Sequence, residues 1–458
     1  MLTLIHRSFI GKKQVLVVLY FNIQCKMMNF QHLKTEQRIQ MQNYTEQYSA
    51  LWDRCSTKLP DFPKSFNDEE KLQKELVLDQ FLKLIKSFRK ERSKKKMIAG
   101  FDQRLFLERT REFLHDGLDF TESQLEMMFS DELIAVSKSF VRRARAFDQD
   151  LSFHDIFQAC RNVWIMNGLQ LIMGIPMQLT DSIFAYSMLY PYTDNIIDDP
   201  NISGFEKMVF SERFRDRLSG IRLEASTKTE TAIFRLVEMI EEQYSRIDFP
   251  EVFESLLGIH EAQTRSLYLI QPSNSISKQE VLKICLTKGG ASVVADGYLV
   301  AGRLTEAQRY FLFGYGAYLQ LLDDIQDVDE DYAAGLMTVF SGEVFISSLD
   351  EKLNKTYWFG EKVMESLEYF NGQHIELFKS LMRKSMDLFI IEAIAQTPEA
   401  YSPKYITEFE TWSPFHFSYV RKRKEQFMPY KDFLIATIEE IAFTDKFLGK
   451  RNKVVAWE

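Results

Sequence analysis

Along most of the chain, apolar residues return every three or four positions between short polar breaks, a period that predicts helices. Asp68–Met97 forms one amphipathic stretch that closes on the basic run RKERSKKK, the composition of a solvated face. Thr121-Glu-Ser-Gln124 is a capping-box pattern, and its helix is expected to continue through Glu132–Phe147. Ser152 and Asp155 open the next, Ile156–Met173, which Gly174 and Pro176 end. Thr180-Asp-Ser caps a helix running through IFAYSMLYPYTDNIIDD, with a kink expected at Pro191 and a stop before Pro200. Val281–Val300 and Tyr318–Tyr332 read as two more helices. Ser413-Pro414 reads as the N-cap and first-turn pair of a helix containing HFSYVRKRKEQF.

Composition agrees with an all-α chain. Glycine (19) and proline (11) are scarce among 458 residues, which disfavours a turn-rich β fold. A net charge of −8, with basic clusters interrupted by acids, gives no footing for nucleic acid. Cys25, Cys55, Cys160 and Cys285 are scattered without a CxxC pair, so neither a zinc site nor a disulfide framework is implied, and a cytoplasmic location is the expectation. No run reaches the ~18 apolar residues of a membrane span, which leaves only peripheral membrane contact open. Arg7, Lys12 and Lys13 before Val15–Phe21 have the outline of a signal sequence, the minor alternative, but Asn22, Ile23, Gln24 and Cys25 offer no small-residue cleavage site. Residues 1–28 therefore read as an extension, 29–120 as a helical N-terminal region, 121–445 as the main α-domain and 446–458 as a tail.

The chemistry concentrates in two acidic elements, each at the polar end of an apolar and aromatic helix. Gln320-Leu-Leu-Asp-Asp-Ile-Gln-Asp-Val-Asp-Glu-Asp331 places Asp323, Asp327 and Asp331 at i, i+4 and i+8. On one helix these span an arc of only ~80°. Like charges so crowded ask for a cation, whereas Asp324, Asp329 and Glu330 are expected to point elsewhere, toward solvent or supporting partners. Far upstream, Asp194 and Asp198 stand at i,i+4 with Asp199 beside them. Together the two sets can close a cage around Mg²⁺, which takes one or two carboxylates per ion and completes its shell with water and phosphate oxygens.

These residues carry a resemblance. DNIIDD at Asp194–Asp199 looks like the D-D-I-V-D-D element of the squalene and phytoene synthase branch of the class I isoprenoid synthases. Gln320–Asp331 is similar to that branch's Q-L-T-N-I-L-R-D-V-G-E-D, with Asp323, Asp327 and Asp331 on its metal positions, and it contains DDIQD, the DDxxD of trans-prenyltransferases. SKSF at Ser137–Phe140 echoes the S-x-S-F whose hydroxyls face diphosphate. The sequence departs from relatives at Gly335-Leu-Met-Thr338, where a basic residue is often found, and in lacking Arg-Arg-Gly after the first motif.

The resemblance implies a helical bundle around a central apolar cavity, a prenyl diphosphate substrate and Mg²⁺ as cofactor, three ions with substrate bound. NADPH would join only in a squalene-type reaction. Asp194, Asp198, Asp323 and Asp327 become the catalytic acids, with Asp199 and Asp331 completing the metal set. Gln320, Arg265, Lys288, Ser137, Ser139, Tyr419 and Arg421 become candidates for diphosphate, and Gly289-Gly290 a helix break opposite the second motif. Phe184, Tyr186, Phe313 or Tyr315 could stabilise a carbocation, although core filling is the commoner role of a single aromatic. The expected reaction is head-to-head condensation or cyclisation to a terpenoid hydrocarbon, with a chain-elongating prenyltransferase as the alternative and a helical scaffold with degenerate motifs as the non-enzyme one. A calcium loop starting at Asp327 fails, because Tyr332 stands where the turn glycine belongs and Thr338 where the bidentate glutamate belongs. Oligomeric state is not legible.

Overall fold

The structure, a computed structural model, describes residues 35–94, 103–198, 201–270, 276–344 and 346–423. The extension 1–28, the tail 446–458 and Asp199 lie outside these residues. Sixteen α-helices, a further helical run at 417–423 and no strand are found among them, as an all-α chain requires; the one bridge pairs Ile270 with Leu336. In order, the helices are α1 (Thr35–Arg54), α2 (Asp68–Lys94), α3 (Gln103–Glu112), α4 (Glu122–Met128), α5 (Asp131–Phe147), α6 (Phe153–Ile172), α7 (Asp181–Asp198) and α8 (Gly204–Leu218). There follow α9 (Lys228–Gln243), α10 (Pro250–Ser266), α11 (Lys278–Ala301), α12 (Glu306–Gln326), α13 (Val328–Ala334), α14 (Asp350–Glu365), α15 (Ile375–Gln396) and α16 (Pro403–Trp412). None of the described helices is long and apolar enough to cross a membrane.

Polar caps set many of the boundaries. Thr121 and Gln124 form both reciprocal bonds of the capping box, but α4 ends at Met128 and Ser130 caps α5 afresh, so the expected single helix is two. Ser152 caps α6 through the Asp155 amide. Gly302, at φ +71°, closes α11 in the left-handed region, and a second capping box, Thr305 with Gln308, opens α12 three residues later.

The hairpin of α11 and α12 is the axis of the fold. α11 packs against α1, α6, α7, α10 and α12, and its buried residues lie all round it, the mark of a helix inside a bundle. The expected helix break at Gly289-Gly290 is not found, since α11 runs through both. A Cβ on Gly289 would lie 2.2 Å from the Gly316 carbonyl oxygen, and one on Gly316 would lie 2.1 Å from that of Gly289. The two backbones touch. Gly290 makes room for the Phe313 ring in the same way. The missing side chains serve helix contact rather than a kink.

Two apolar cores result. The larger joins α5–α7, α9–α12 and α14–α16, and it includes Tyr44, Tyr48 and Trp52 of α1. Tyr48 stacks on Tyr310 at 4.7 Å and donates its hydroxyl to the Tyr310 carbonyl at 2.8 Å. The smaller core gathers α2, α3, the π-helical turn Phe113–Gly117 and α4 over Leu381 and Phe415, with Phe81 stacked on Phe113. The N-terminal region is thus shared between the two cores, its first helix belonging to the main bundle.

Candidate functional site

The acid-bearing stretch is not one helix. α12 ends at Gln326, Asp327 sits at φ −95° and ψ 14°, and α13 begins at Val328. The Asp327 amide still donates to the Asp323 carbonyl at 3.0 Å, and the Asp331 amide to the Asp327 carbonyl at 2.7 Å. The helical phase therefore survives the break. Gly316, Gln320 and Asp324 follow one another at i,i+4 along the side of α12 that meets α11.

That register turns Asp324 inward onto supporting partners, the second of the two expected surroundings, and away from solvent. It is 3% exposed, and its carboxylate accepts from Gln320 Nε2 at 2.8 Å and from the Cys285 thiol. Burial pushes its pKa up to about 7, with the Gln320 bond opposing and Asp323 adding to the rise. Asp331 is 2% exposed and pushed up to about 9, first by burial and then by Asp324, Asp327 and Asp323, while Lys288 opposes. Four carboxyl groups feel one another here, not three.

Oδ2 of Asp324, Oδ1 of Asp331 and both amide atoms of Gln326 are buried without a hydrogen-bond partner. Each such group costs about 1–3 kcal/mol, which marks the place where a ligand would be accommodated. No three His, Cys, Asp or Glu side chains among the described residues stand in a ready metal-binding arrangement. Mg²⁺ does not need three, since one or two carboxylates suffice when water and phosphate complete its octahedron. Hard carboxylate oxygens with unspent lone pairs fit that role.

Two cationic side chains flank the acids. Lys288, half-buried on α11, lies close enough to Asp324 and Asp331 to lower the pKa of both. Arg161, half-buried on α6, is held by Gln158 Oε1 at 2.5 Å. Burial pulls its basicity down, while Asp323, Tyr190 and Asp327 push it back up. Tyr190 belongs to α7, so Arg161 feels the charge of that helix as well as of Asp323 and Asp327. Positions 194 and 198 follow Tyr190 at one-turn spacing on α7.

The remaining candidates are engaged elsewhere. Arg265 pairs with Glu280 at the surface, two turns of α11 before Lys288. Ser137 accepts from Trp164 Nε1 at 2.8 Å and donates to the Leu133 carbonyl, whereas Ser139, about 200° further round α5, is exposed. The two hydroxyls do not converge. Tyr419 donates to Asp79 Oδ1, and Arg421 to the Ala395 carbonyl at 3.3 Å, so the expected C-terminal contacts to diphosphate are replaced by docking onto α2 and α15. The helix at 417–423 also starts later than Ser413-Pro414 suggests; Ser413 instead closes a turn on Phe415. Phe184 packs on Phe140 and Phe147 under the Arg143 guanidinium, Phe313 on Tyr48, and Tyr315 on Phe311, all core contacts.

Arg161 and Asp296 are the residues that sequence reasoning passed over, and Asp324 is one that it left out of the acidic face. Arg161 is the only charged residue between Asp155 and Asp181, and Asp296 the only one between Lys288 and Arg303; that isolation was the available signal. Asp296 is 1% exposed, and its Oδ1 accepts from Asn162 Nδ2 at 3.5 Å. Burial pushes its pKa up to about 8, against the Asn162 bond. Tyr186, bonded to Ser292, and Ser187, bonded to Asn162 at 3.3 Å, complete a polar cluster between α6, α7 and α11.

No protein-family model matches the chain, and no curated protein is similar to it. Among solved structures, a decaprenyl diphosphate synthase from Rhodobacter capsulatus aligns over 81% of this chain and 97% of its own, at 12% identity and a TM-score of 0.25. A likeness of that size carries no argument about the site.

Proposed function

We propose that the chain is a Mg²⁺-dependent isoprenoid synthase that ionises a prenyl diphosphate. One observation carries the reading: Asp323, Asp324, Asp327 and Asp331 gather at the end of a buried apolar helix, with an unspent oxygen on Asp324 and on Asp331 and with Lys288 and Arg161 on neighbouring helices. Their spacing, and that of Asp194 and Asp198, resembles the two acidic motifs of the class I synthases. Bound Mg²⁺ would neutralise the leaving diphosphate and polarise its ester oxygen. Lys288 and Arg161 would donate to the remaining diphosphate oxygens through charge-assisted bonds. The buried apolar side chains beside the acids on α12, Leu321, Leu322 and Ile325 among them, would keep water from the carbocation. Gln320, already bonded to Asp324, would orient that carboxylate.

The reaction is read as head-to-head condensation or cyclisation to a hydrocarbon. Asp324 favours a second reading, because its place among the acids puts every acid of DDIQD in the cluster, as a chain-elongating prenyltransferase would use it. Incubation with Mg²⁺ and geranyl, farnesyl or geranylgeranyl diphosphate, with and without isopentenyl diphosphate and NADPH, tests both. Hydrocarbon products support the first, longer prenyl diphosphates the second, and no release of diphosphate from any substrate rejects the enzyme.

A further inference from the structure

We propose that a pocket between α12, α14 and α15 binds a small zwitterion, with a primary ammonium at its floor and an anionic end at its mouth. This site stands independently of the function proposed above. The pocket encloses about 270 Å³, solvent at its mouth included. α14 lends it Tyr357, Gly360, Glu361 and Met364, at i, i+3, i+4 and i+7, so that one face of the helix is turned to it. α15 does the same with Lys379, Arg383, Met386 and Asp387, at i, i+4, i+7 and i+8. Tyr318 comes from α12, about 120° round that helix from Asp324, which faces α11. The pocket is therefore apart from the acidic end of the bundle.

Its floor holds polar groups that the protein leaves unspent. Asp387 and Tyr357 are each 7% exposed and Tyr318 3%, yet neither the carboxylate nor either hydroxyl makes a hydrogen bond or an ion pair among the described residues. A Cβ on Gly360 would lie 2.1 Å from Cζ of Tyr318, so the glycine is what seats the hydroxyl-bearing end of that ring here. A buried carboxylate without a partner is costly. A ligand ammonium supplies what is missing, with three donors for three acceptors. The clear room beside them is about that of one water-sized group, which fits a primary ammonium and excludes a trimethylated one. Buried Met364 and Met386 offer apolar wall for methylenes. Farther out, Glu361 and Arg383 neutralise each other, through Nε to Oε1 at 2.9 Å and a second bond from Nη2 to Oε2. Lys379, half-buried, has no such partner among the described residues. It stands two turns of α15 from Asp387, about 12 Å along the axis, so it repels a plain cation and attracts an anionic group set several methylenes from the ammonium.

The test is calorimetric titration of the full chain with the ω-amino acids from glycine to 6-aminohexanoate, their matched alkylamines and the trimethylated form of the best binder. It is run at pH 8, because burial and then Glu361, against Lys384 and Arg383, push the Asp387 carboxyl up to about 7. The longer amino acids should bind more tightly than glycine, the matched amines several-fold more weakly, and the trimethylated form not at all. Asp387→Asn, which keeps the shape and removes an unpaired buried charge, should weaken binding roughly tenfold or more. Lys379→Gln should bring the amino acid down to the affinity of its amine. Where the asparagine variant does not fold, Tyr357→Phe serves, with a several-fold loss from one missing acceptor. Saturation by none of the series at about 10 mM would mean that the pocket holds only water, and would overturn the proposal. Equal affinity for an amino acid and its amine, or binding indifferent to Asp387→Asn, would overturn it as well.

Discussion

Replacing Asp296 by asparagine tests how completely α11 withdraws its interior carboxyl from water. The folded pKa, about 8, lies above the ordinary carboxylate value of 3.8 that holds in the unfolded chain. Between those two pH values the folded state keeps a proton that the unfolded state has lost, so stability is fully present below the lower value and declines as pH rises to the upper one. The slope is at most ~1.4 kcal/mol per pH unit, and from pH 5 to pH 8 the ceiling is about 4 kcal/mol. Relaxation and water penetration will reduce this, and roughly half is a fair expectation. Asp324, Asp331 and Asp387 are raised in the same direction, so the wild-type curve alone does not isolate Asp296. The difference between variant and wild type does. Urea unfolding followed by circular dichroism at four pH values should show the stability of Asp296→Asn gaining on wild type by about 2 kcal/mol between pH 5 and pH 8. A difference that stays flat across that window would refute the burial argument.

Three other substitutions probe separate links. Asp327→Asn should lower diphosphate release by two or more orders of magnitude with an unchanged helical spectrum; retained activity would mean that the acids are solvated ornaments of a scaffold. Gly289→Ala drives a methyl group to 2.2 Å from the Gly316 carbonyl oxygen and should cost about 3 kcal/mol in thermal or urea melts, whereas a neutral result would show that α11 and α12 are not in backbone contact. Tyr48→Phe removes the bond to the Tyr310 carbonyl and should lower stability by about 1 kcal/mol; no change would indicate that α1 docks by its apolar face alone.

Local features were legible because local chemistry determines them. Ser152, the Thr121 box and the acidic end of α7 follow from which backbone groups need a partner and which residue types supply one. The face of α12 was not legible in the same way. Spacing shows that Asp323, Asp327 and Asp331 share one side, but only the contact with α11 turns Gln320 and Asp324 inward as well. Gly289-Gly290 misled for a related reason, since a kink and a close helix crossing both ask for an absent Cβ. Tyr419 and Arg421 were misplaced because their partners, Asp79 and Ala395, belong to helices whose position no C-terminal motif encodes. Arg161 was readable only as an isolated charge in an apolar helix, and its neighbours Asp323 and Asp327 lie far away in the chain.

The touching backbones of Gly289 and Gly316 also act as a fulcrum. With no side chain between them there is no slack at that point, so the contact blocks sliding of α12 along α11 and leaves tilting as the smaller disturbance. Gln320 lies one turn from the fulcrum, Asp324 two turns and Asp331 about 22 Å away along the axis, beyond the break at Asp327. A tilt of about 5° would leave Gln320 nearly still while carrying Asp331 through roughly 2 Å, about the length of one metal–oxygen bond. If the site holds an ion as proposed, the carboxylates farthest from the joint would have the longer reach toward it for a given tilt, and those nearest would supply the fixed jaw.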